Sequence, residues 1–133
     1  MRIGELAQRA GVTVKAVRYY ESLGLVTAAR RSNGYRDYDD HHVRLVREVQ
    51  TLKGLGIRAE QTRPFLDCLV SGNEQGDDCP ASLDTYRDAI SDMTRRIDEL
   101  GARRDAVRDL LERAGRRSVP LCELSTHLGE EIR

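Results

Sequence analysis

Apolar residues recur along this chain at two rhythms, and the change of rhythm divides it. Near the start Ile3, Leu6, Ala7 and Ala10 are spaced 3, 1 and 3, which predicts a short helix with one apolar face, ended by Gly11. Thr13 can cap a second helix, because its side-chain oxygen can accept from a backbone N–H two or three residues on. That helix turns Val14, Val17 and either Tyr20 or Leu23 inward, carries Lys15, Arg18 and Tyr19 on other faces, and closes at Gly24. Asp39 or Asp40 can cap a third helix bearing Val43, Leu45, Val46, Val49 and Leu52, ending near Gly54 or Gly56. A further helix is predicted over about residues 59–70, with Phe65, Leu66, Leu69 and Val70 apolar. Pro64 falls in its opening turns, where a missing N–H costs little.

Beyond the polar loop SGNEQGDD the period tightens. From Leu83 the positions Tyr86, Ile90, Met93, Ile97, Leu100, Arg104, Val107 and Leu111 step alternately by 3 and 4, a heptad seam with only Arg104 off-type. Cys79-Pro80-Ala81-Ser82 supplies a start and Gly115 an end. Such a helix of roughly 33 residues would be about 50 Å long, more than so small a globular core can cover. It needs a second long helix, and the pattern predicts one per chain, so a parallel or antiparallel homodimer follows. Arg104 either snorkels or sets register against Asp105 of the partner subunit or Asp109 of the partner subunit.

The first two helices, joined through a glycine turn with the basic side chains on the second, make a helix-turn-helix, which suits a B-DNA major groove. The segment TAARRSNGYRDYDD then predicts a two-stranded wing turning at Asn33-Gly34, with Arg30 and Arg31 on one arm and Tyr35, Arg36 and Tyr38 on the other. Arginines near its tip can lie on phosphates, while the tyrosines donate a hydroxyl or pack beneath. His41 and His42 point in two directions and are read as solvent or phosphate contacts rather than a metal pair. Aromatic scarcity sharpens the picture: of five tyrosines and one phenylalanine, Tyr19, Tyr20, Tyr35 and Tyr38 share this one window.

Net charge is zero, but unevenly built. Residues 1–58 hold 11 Lys/Arg against 6 Asp/Glu, and residues 59–133 hold 11 against 16, so +5 is followed by −5. A basic nucleic-acid-binding head with an acidic remainder fits that split. No apolar run approaches the roughly 18 residues needed to span a bilayer and no signal peptide opens the chain, so no membrane partner and a cytoplasmic location are expected. Three cysteines, Cys68, Cys79 and Cys122, suit a secreted disulfide framework poorly. With three histidines, no helical HExxH and no Gly-rich phosphate loop, no enzyme is expected.

The blocks IGELAQRAGVTVKAVRYYESLGLV, RRSNGYRDYDDHHV and LKGLGI, continuing into the long helix, resemble the MerR family of transcription regulators as far as about residue 114. The resemblance implies a mainly α fold. A winged helix-turn-helix domain with a small β-hairpin wing would occupy residues 1–71, a linker loop 72–80, a long antiparallel coiled-coil dimerisation helix 81–114, and an effector-loop or tail segment 115–133. By resemblance Lys15, Arg18 and Tyr19 or Tyr20 face DNA, Arg31, Tyr35 and Arg36 belong to the wing, and Lys53 lies at a phosphate. Thr13 and Arg30 complete the candidate interface. Such dimers bind two-fold-symmetric operators in the overlong spacers of double-stranded promoter DNA. They bend and untwist the DNA so that RNA polymerase can read both promoter elements, spending deformation energy that protein contacts offset.

The effector is left open by the cysteines. Metal-sensing members of the family place one cysteine at the start of the dimerisation helix, a second just after its end and a third several residues later. Cys79 matches the first and Cys122 the third, but the middle position, near Ala114 or Gly115, has none. Two thiolates from different subunits could hold Cu(I) or Hg(II) between them; Zn would need more ligands, for which His127, Glu123, Asp77 and Asp78 are candidates. Alternatively Cys68 and Cys79, across a Gly-containing loop, could form an intrachain disulfide or a reactive thiol, making a redox- or electrophile-responsive regulator. A DNA-shaping dimer with no effector is the third reading, since the residues after 114 are too few for an appended ligand domain.

Overall fold

The structure, a computed structural model, describes residues 1–30 and 34–125, without the side chains of residue 30 and residues 119–125. The chain divides into two compact units, Met1–Ile90 and Ser91–Arg133. In the first, α1 (Ile3–Ala10) and α2 (Val14–Ser22) precede strands β1 (Ala29–Arg30) and β2 (Arg36–Asp37). Next come α3 (Asp40–Gly54), a 3₁₀ turn (Ala59–Gln61), α4 (Arg63–Val70) and the opening of α5 (Pro80–Ser125).

Each boundary has a local cause. Gly11 takes φ +74° after α1 and its N–H satisfies the Ala7 and Gln8 carbonyls, a left-handed stop that glycine reaches without steric penalty. Asp39 starts α3 through a capping box in which its carboxylate accepts the His42 N–H while His42 Nδ1 accepts the Asp39 N–H. His42 Nε2 also lies 2.9 Å from the Thr27 carbonyl oxygen. The expectation of a solvent or phosphate contact is thereby corrected for His42: both ring nitrogens are spent on backbone groups, the Asp39 N–H at the helix start and the Thr27 carbonyl ahead of the wing. Pro64 stands in the first turn of α4, and the 3₁₀ turn breaks the single helix predicted over 59–70 into two pieces.

The head's core gathers Leu6 from α1, Val17 and Tyr20 from α2, Val26, and Val46 and Val49 from α3, with Leu66 and Leu69 of α4 closing it. The strands pair antiparallel, Ala29 opposite Asp37 and Arg30 opposite Arg36. A second apolar group, Leu52, Ile57 and Phe65, receives Tyr86 and Ala89 from the opening of α5. The Phe65 and Tyr86 rings lie 5.1 Å apart, and the Tyr86 hydroxyl donates to Asp77. Tyr86 therefore packs on its own head rather than opening a seam toward a partner; an aromatic at the first heptad turn finds a nearer apolar surface in Phe65.

Farther along α5 the seam positions Ile90, Ile97, Leu100, Val107 and Leu111 are exposed, as is Leu83 at its start; Met93 is half-buried. Arg104 pairs with Asp105 of its own chain at 2.9 Å. The helix also passes Gly115, the predicted end, and continues to Ser125. Glycine ends a helix by turning left-handed, and Gly115 is not among the glycines with positive φ; remaining helical, it costs only about 1 kcal/mol relative to alanine.

Candidate nucleic-acid interface

The interface is built on α2. Thr13 Oγ1 accepts the Ala16 N–H at 3.0 Å, fixing the first turn. From there Val17 and Tyr20, three apart, face the core, which leaves Lys15, Arg18 and Tyr19 outward and exposed. The adjacent tyrosines thus divide their work. Tyr20 is 1% exposed and its hydroxyl donates to Gln50, so the expectation that it could face DNA is corrected in favour of core packing. Tyr19 is 46% exposed.

Two acidic residues that sequence reasoning did not single out organise this surface. The Tyr19 hydroxyl donates to Glu60 in the 3₁₀ turn. That bond holds the Glu60 carboxyl below its usual range, assisted by the charges of Arg58 and Lys53, and it raises the Tyr19 hydroxyl. Lys53, in the last turn of α3, thus belongs to the same electrostatic neighbourhood as α2. Glu21 is the other: one carboxylate oxygen accepts the Tyr38 hydroxyl at 2.6 Å and Arg36 Nη1 at 3.3 Å. Tyr38 is buried, and burial, then the Glu21 bond, pushes its hydroxyl up to about 12. A recognition-helix residue therefore anchors the second arm of the wing. The acid directly following two tyrosines is the only trace of this in the sequence.

On the wing, Gly34 takes φ +86°, as the predicted turn requires. Tyr35 is exposed and the Arg2 guanidinium lies 4.5 Å from its ring centroid, a cation–π contact that brings an unforeseen arginine to the wing. Arg31 lies outside the described residues, and so does the Arg30 side chain. Arg18, Glu21 and Arg36 border one open cleft together with Ile3 and Ser22. Below α2, Arg63 donates to the Leu23 carbonyl at 2.6 Å, satisfying a C-terminal orphan of the helix. Lys15, Arg18, Tyr19, Tyr35, Arg36 and Lys53 are thus all exposed on the head, offering charge for phosphates and donors for base edges.

The cysteines are arranged differently from a thiolate metal site. Cys68, buried in α4, is disulfide-bonded to Cys79, immediately before α5, with Cα atoms 5.9 Å apart. Cys79 is therefore committed. Among the described residues no group of three or more His, Cys, Asp or Glu could hold a metal ion. The Cys122 side chain and His127 lie outside the described residues. Among the described residues, too, no helix is long and apolar enough to cross a membrane.

A capped second helix packed on the core beside a two-stranded, arginine-bearing wing makes the head a winged helix-turn-helix. Residues 1–67 match the MerR HTH family regulatory proteins. Along nearly its whole length the chain is 32% identical to the HTH-type transcriptional regulator HmrR of Rhizobium leguminosarum bv. viciae, over 131 residues that cover 98% of each. Among solved structures it is similar to the transcription regulator PbrR691 of Ralstonia metallidurans CH34 in complex with lead(II). That match has TM-score 0.61 and 27% identity, covering 89% of this chain and 86% of that one. It shares its fold with HiNmlR, a MerR family regulator lacking the sensor domain and bound to promoter DNA, at TM-score 0.52 and 22% identity, with 79% and 78% covered. The chain belongs to the MerR family of transcription regulators.

Proposed function

We propose that this regulator acts in the cytoplasm as a homodimer, paired through the apolar seam of α5 as an antiparallel coiled coil. Its two heads bind a two-fold-symmetric operator within a promoter spacer. There it activates by bending and untwisting the DNA until RNA polymerase can engage both promoter elements. The observation that carries this reading is the seam itself: Ile97 and Leu111 stay 69% and 70% exposed in the single chain, and apolar residues repeated on one face of a helix call for a partner of the same period. On the head, Arg18 and Lys15 supply the base and phosphate contacts, and Arg36 and Tyr35 hold the wing to the backbone.

The lead-bound relative raises the question of a metal effector. Among the described residues the donors do not fit one in this state, because Cys79, which would supply a thiolate, is joined to Cys68. The disulfide favours a thiol-responsive regulator instead.

Selection of duplexes from a random pool, followed by footprinting, tests the operator reading. We expect a protected site with two inverted half-sites, and an affinity at least about tenfold lower, roughly 1.4 kcal/mol, for Arg18→Ala. A single asymmetric half-site, or unchanged affinity in the variant, would sink it.

A further inference from the structure

Polar groups flank both sulfurs of the disulfide. Cys68 Sγ lies 3.5 Å from the Gln75 carbonyl oxygen. A disulfide sulfur has no proton to give, but a thiol there would find an acceptor already in place. The Asn73 side-chain amide points an N–H at Cys79 Sγ from 3.4 Å while a second contact ties it to the Cys68 carbonyl at 2.9 Å. That donor suits a thiolate. Each sulfur thus has a group beside it that would hydrogen-bond the reduced thiol or thiolate, which a disulfide serving only as a permanent staple would not need.

The loop between them, residues 71–79, is docked on the head by several independent contacts. Arg44 of α3 donates to the Glu74 carbonyl, and Ser82 Oγ of α5 donates to the Gly76 carbonyl at 2.5 Å. A Cβ at Gly76 would stand 2.6 Å from Glu48 Oε1 and 3.1 Å from the Phe65 Cβ, so the backbone there runs close against α3 and α4, and a larger residue would have to displace the Glu48 carboxylate. Burial, with Asp77 nearby, raises the Glu48 carboxyl. Whatever alters this loop alters how the opening of α5 is fastened to α3 and α4.

We propose that Cys68 and Cys79 form a reversible dithiol–disulfide modification site, closed by low-molecular-weight disulfides of the glutathione class and opened by the matching thiols. Its state sets how firmly loop 71–79 and the first turns of α5 are held. Cys79 is the entry point, being half-buried where Cys68 is 2% exposed. Its thiolate attacks one sulfur of the small disulfide, R–S–S–R; the S–S bond breaks, one RS⁻ leaves, and Cys79 carries the mixed disulfide. The Cys68 thiolate, its proton lost to water, then attacks Cys79 Sγ and expels the second RS⁻. Two S–H bonds and one S–S bond are replaced by one S–S bond and two RSH, and two electrons pass from the cysteines to the small disulfide. A regulator working where thiols are kept reduced would hold this pair open until the balance shifts, as redox-sensing disulfides in such compartments do. Closing it also withdraws Cys79 from any thiolate metal site. The chemistry stands on the pair alone; its effect on transcription rests on the operator reading above.

The test uses the full chain equilibrated in buffers of graded reduced to oxidised glutathione, acid-quenched, alkylated, digested and weighed. The peptide linking residues 68 and 79 should accumulate with the oxidised fraction, vanish on reduction, and leave Cys122 alkylated throughout. Amide hydrogen exchange over residues 71–79 should slow by about tenfold or more in the linked form. That difference should be absent in Cys68→Ser and Cys79→Ser and kept in Cys122→Ser. Affinity for a selected operator duplex should differ between the two states. Thiols at 68 and 79 that remain alkylated at every ratio, a link formed through Cys122, or exchange indifferent to the link would each overturn the site. A working link with identical operator affinity would overturn its regulatory role. Failure to bind any duplex in either state would count against the operator reading alone, since linkage and exchange are read without DNA. Both are also read on the native sequence, so they decide the matter even where a serine variant does not fold.

Discussion

The head and the far part of α5 spend their apolar residues in opposite ways. In the head, Leu6, Val17, Val46 and Val49 are removed from solvent by neighbours from α1, α2 and α3 of the same chain. Along α5, Ile90, Ile97, Leu100, Val107 and Leu111 repeat as regularly, yet each remains mostly exposed. Polar chemistry follows the same division. Tyr19, Tyr38 and Glu21 of the head are tied through contacts distant in sequence, whereas the ion pairs of α5, such as Arg95–Asp92 and Arg113–Asp109, join residues three or four apart on one helix. Exposed pairs of that kind contribute only tenths of a kcal/mol. Pairs of that size add a little to the helix's own stability; they cannot decide what its apolar face meets. The head has the contacts to hold itself together, whereas the apolar face of the far helix stays exposed in the single chain.

Charging the seam breaks this comparison most severely. Ile97→Asp places a carboxylate where two such helices would meet, and by symmetry it does so twice in each dimer. Sedimentation at micromolar concentration should show monomer in place of dimer, while the melting of the head stays where it was. A dimer that survives at that concentration would count against the seam, and a head that melts with it would erase the distinction between the two regions.

The complementary change is Leu6→Ala. Leu6 is fully buried between α1 and the rest of the core, and removing three carbons there should destabilise the head by about 3 kcal/mol, through lost transfer energy and the cavity left behind. Urea unfolding should show a lower midpoint with the dimer mass unchanged in the absence of denaturant. A loss well under 1 kcal/mol would mean that α1 is not part of the cooperative core.

The two regions are also unequally legible in the sequence. Capping and turn signals carry the head: Thr13, Gly11, Asp39 and Gly34 each do what their residue type foretells. What the signals lack there is direction. Two adjacent tyrosines on a helix must diverge by about 100°, but which one turns inward depends on whether α3 lies opposite, and only Val46, Val49 and Gln50 in place make Tyr20 the buried one. His42 presents the same difficulty, since its partner Thr27 is distant in sequence. In α5 the periodic signal finds one long helix, yet Tyr86 is diverted by Phe65 and Gly115 stays helical because nothing forces it left-handed. The Cys68–Cys79 pairing is one of several readings the sequence leaves open, as the spacing alone does not say which side of the loop faces the other.

The finest test returns to α2, where folding and recognition share a residue. Thr13→Ala removes the oxygen that accepts the Ala16 N–H, leaving one donor of the first turn to water, and should cost the head about 1 kcal/mol. Urea unfolding reads that loss, and Thr13→Ser, which keeps the oxygen, should recover most of it. The same turn carries Lys15 and is continued by Arg18, so fraying it lowers operator affinity without touching the dimer. If Thr13→Ala weakens operator binding but Thr13→Ser does not, the threonine serves DNA through the helix it caps. Equal losses in both variants would instead mean that the methyl group itself is needed at the interface, and the cap would be incidental to recognition.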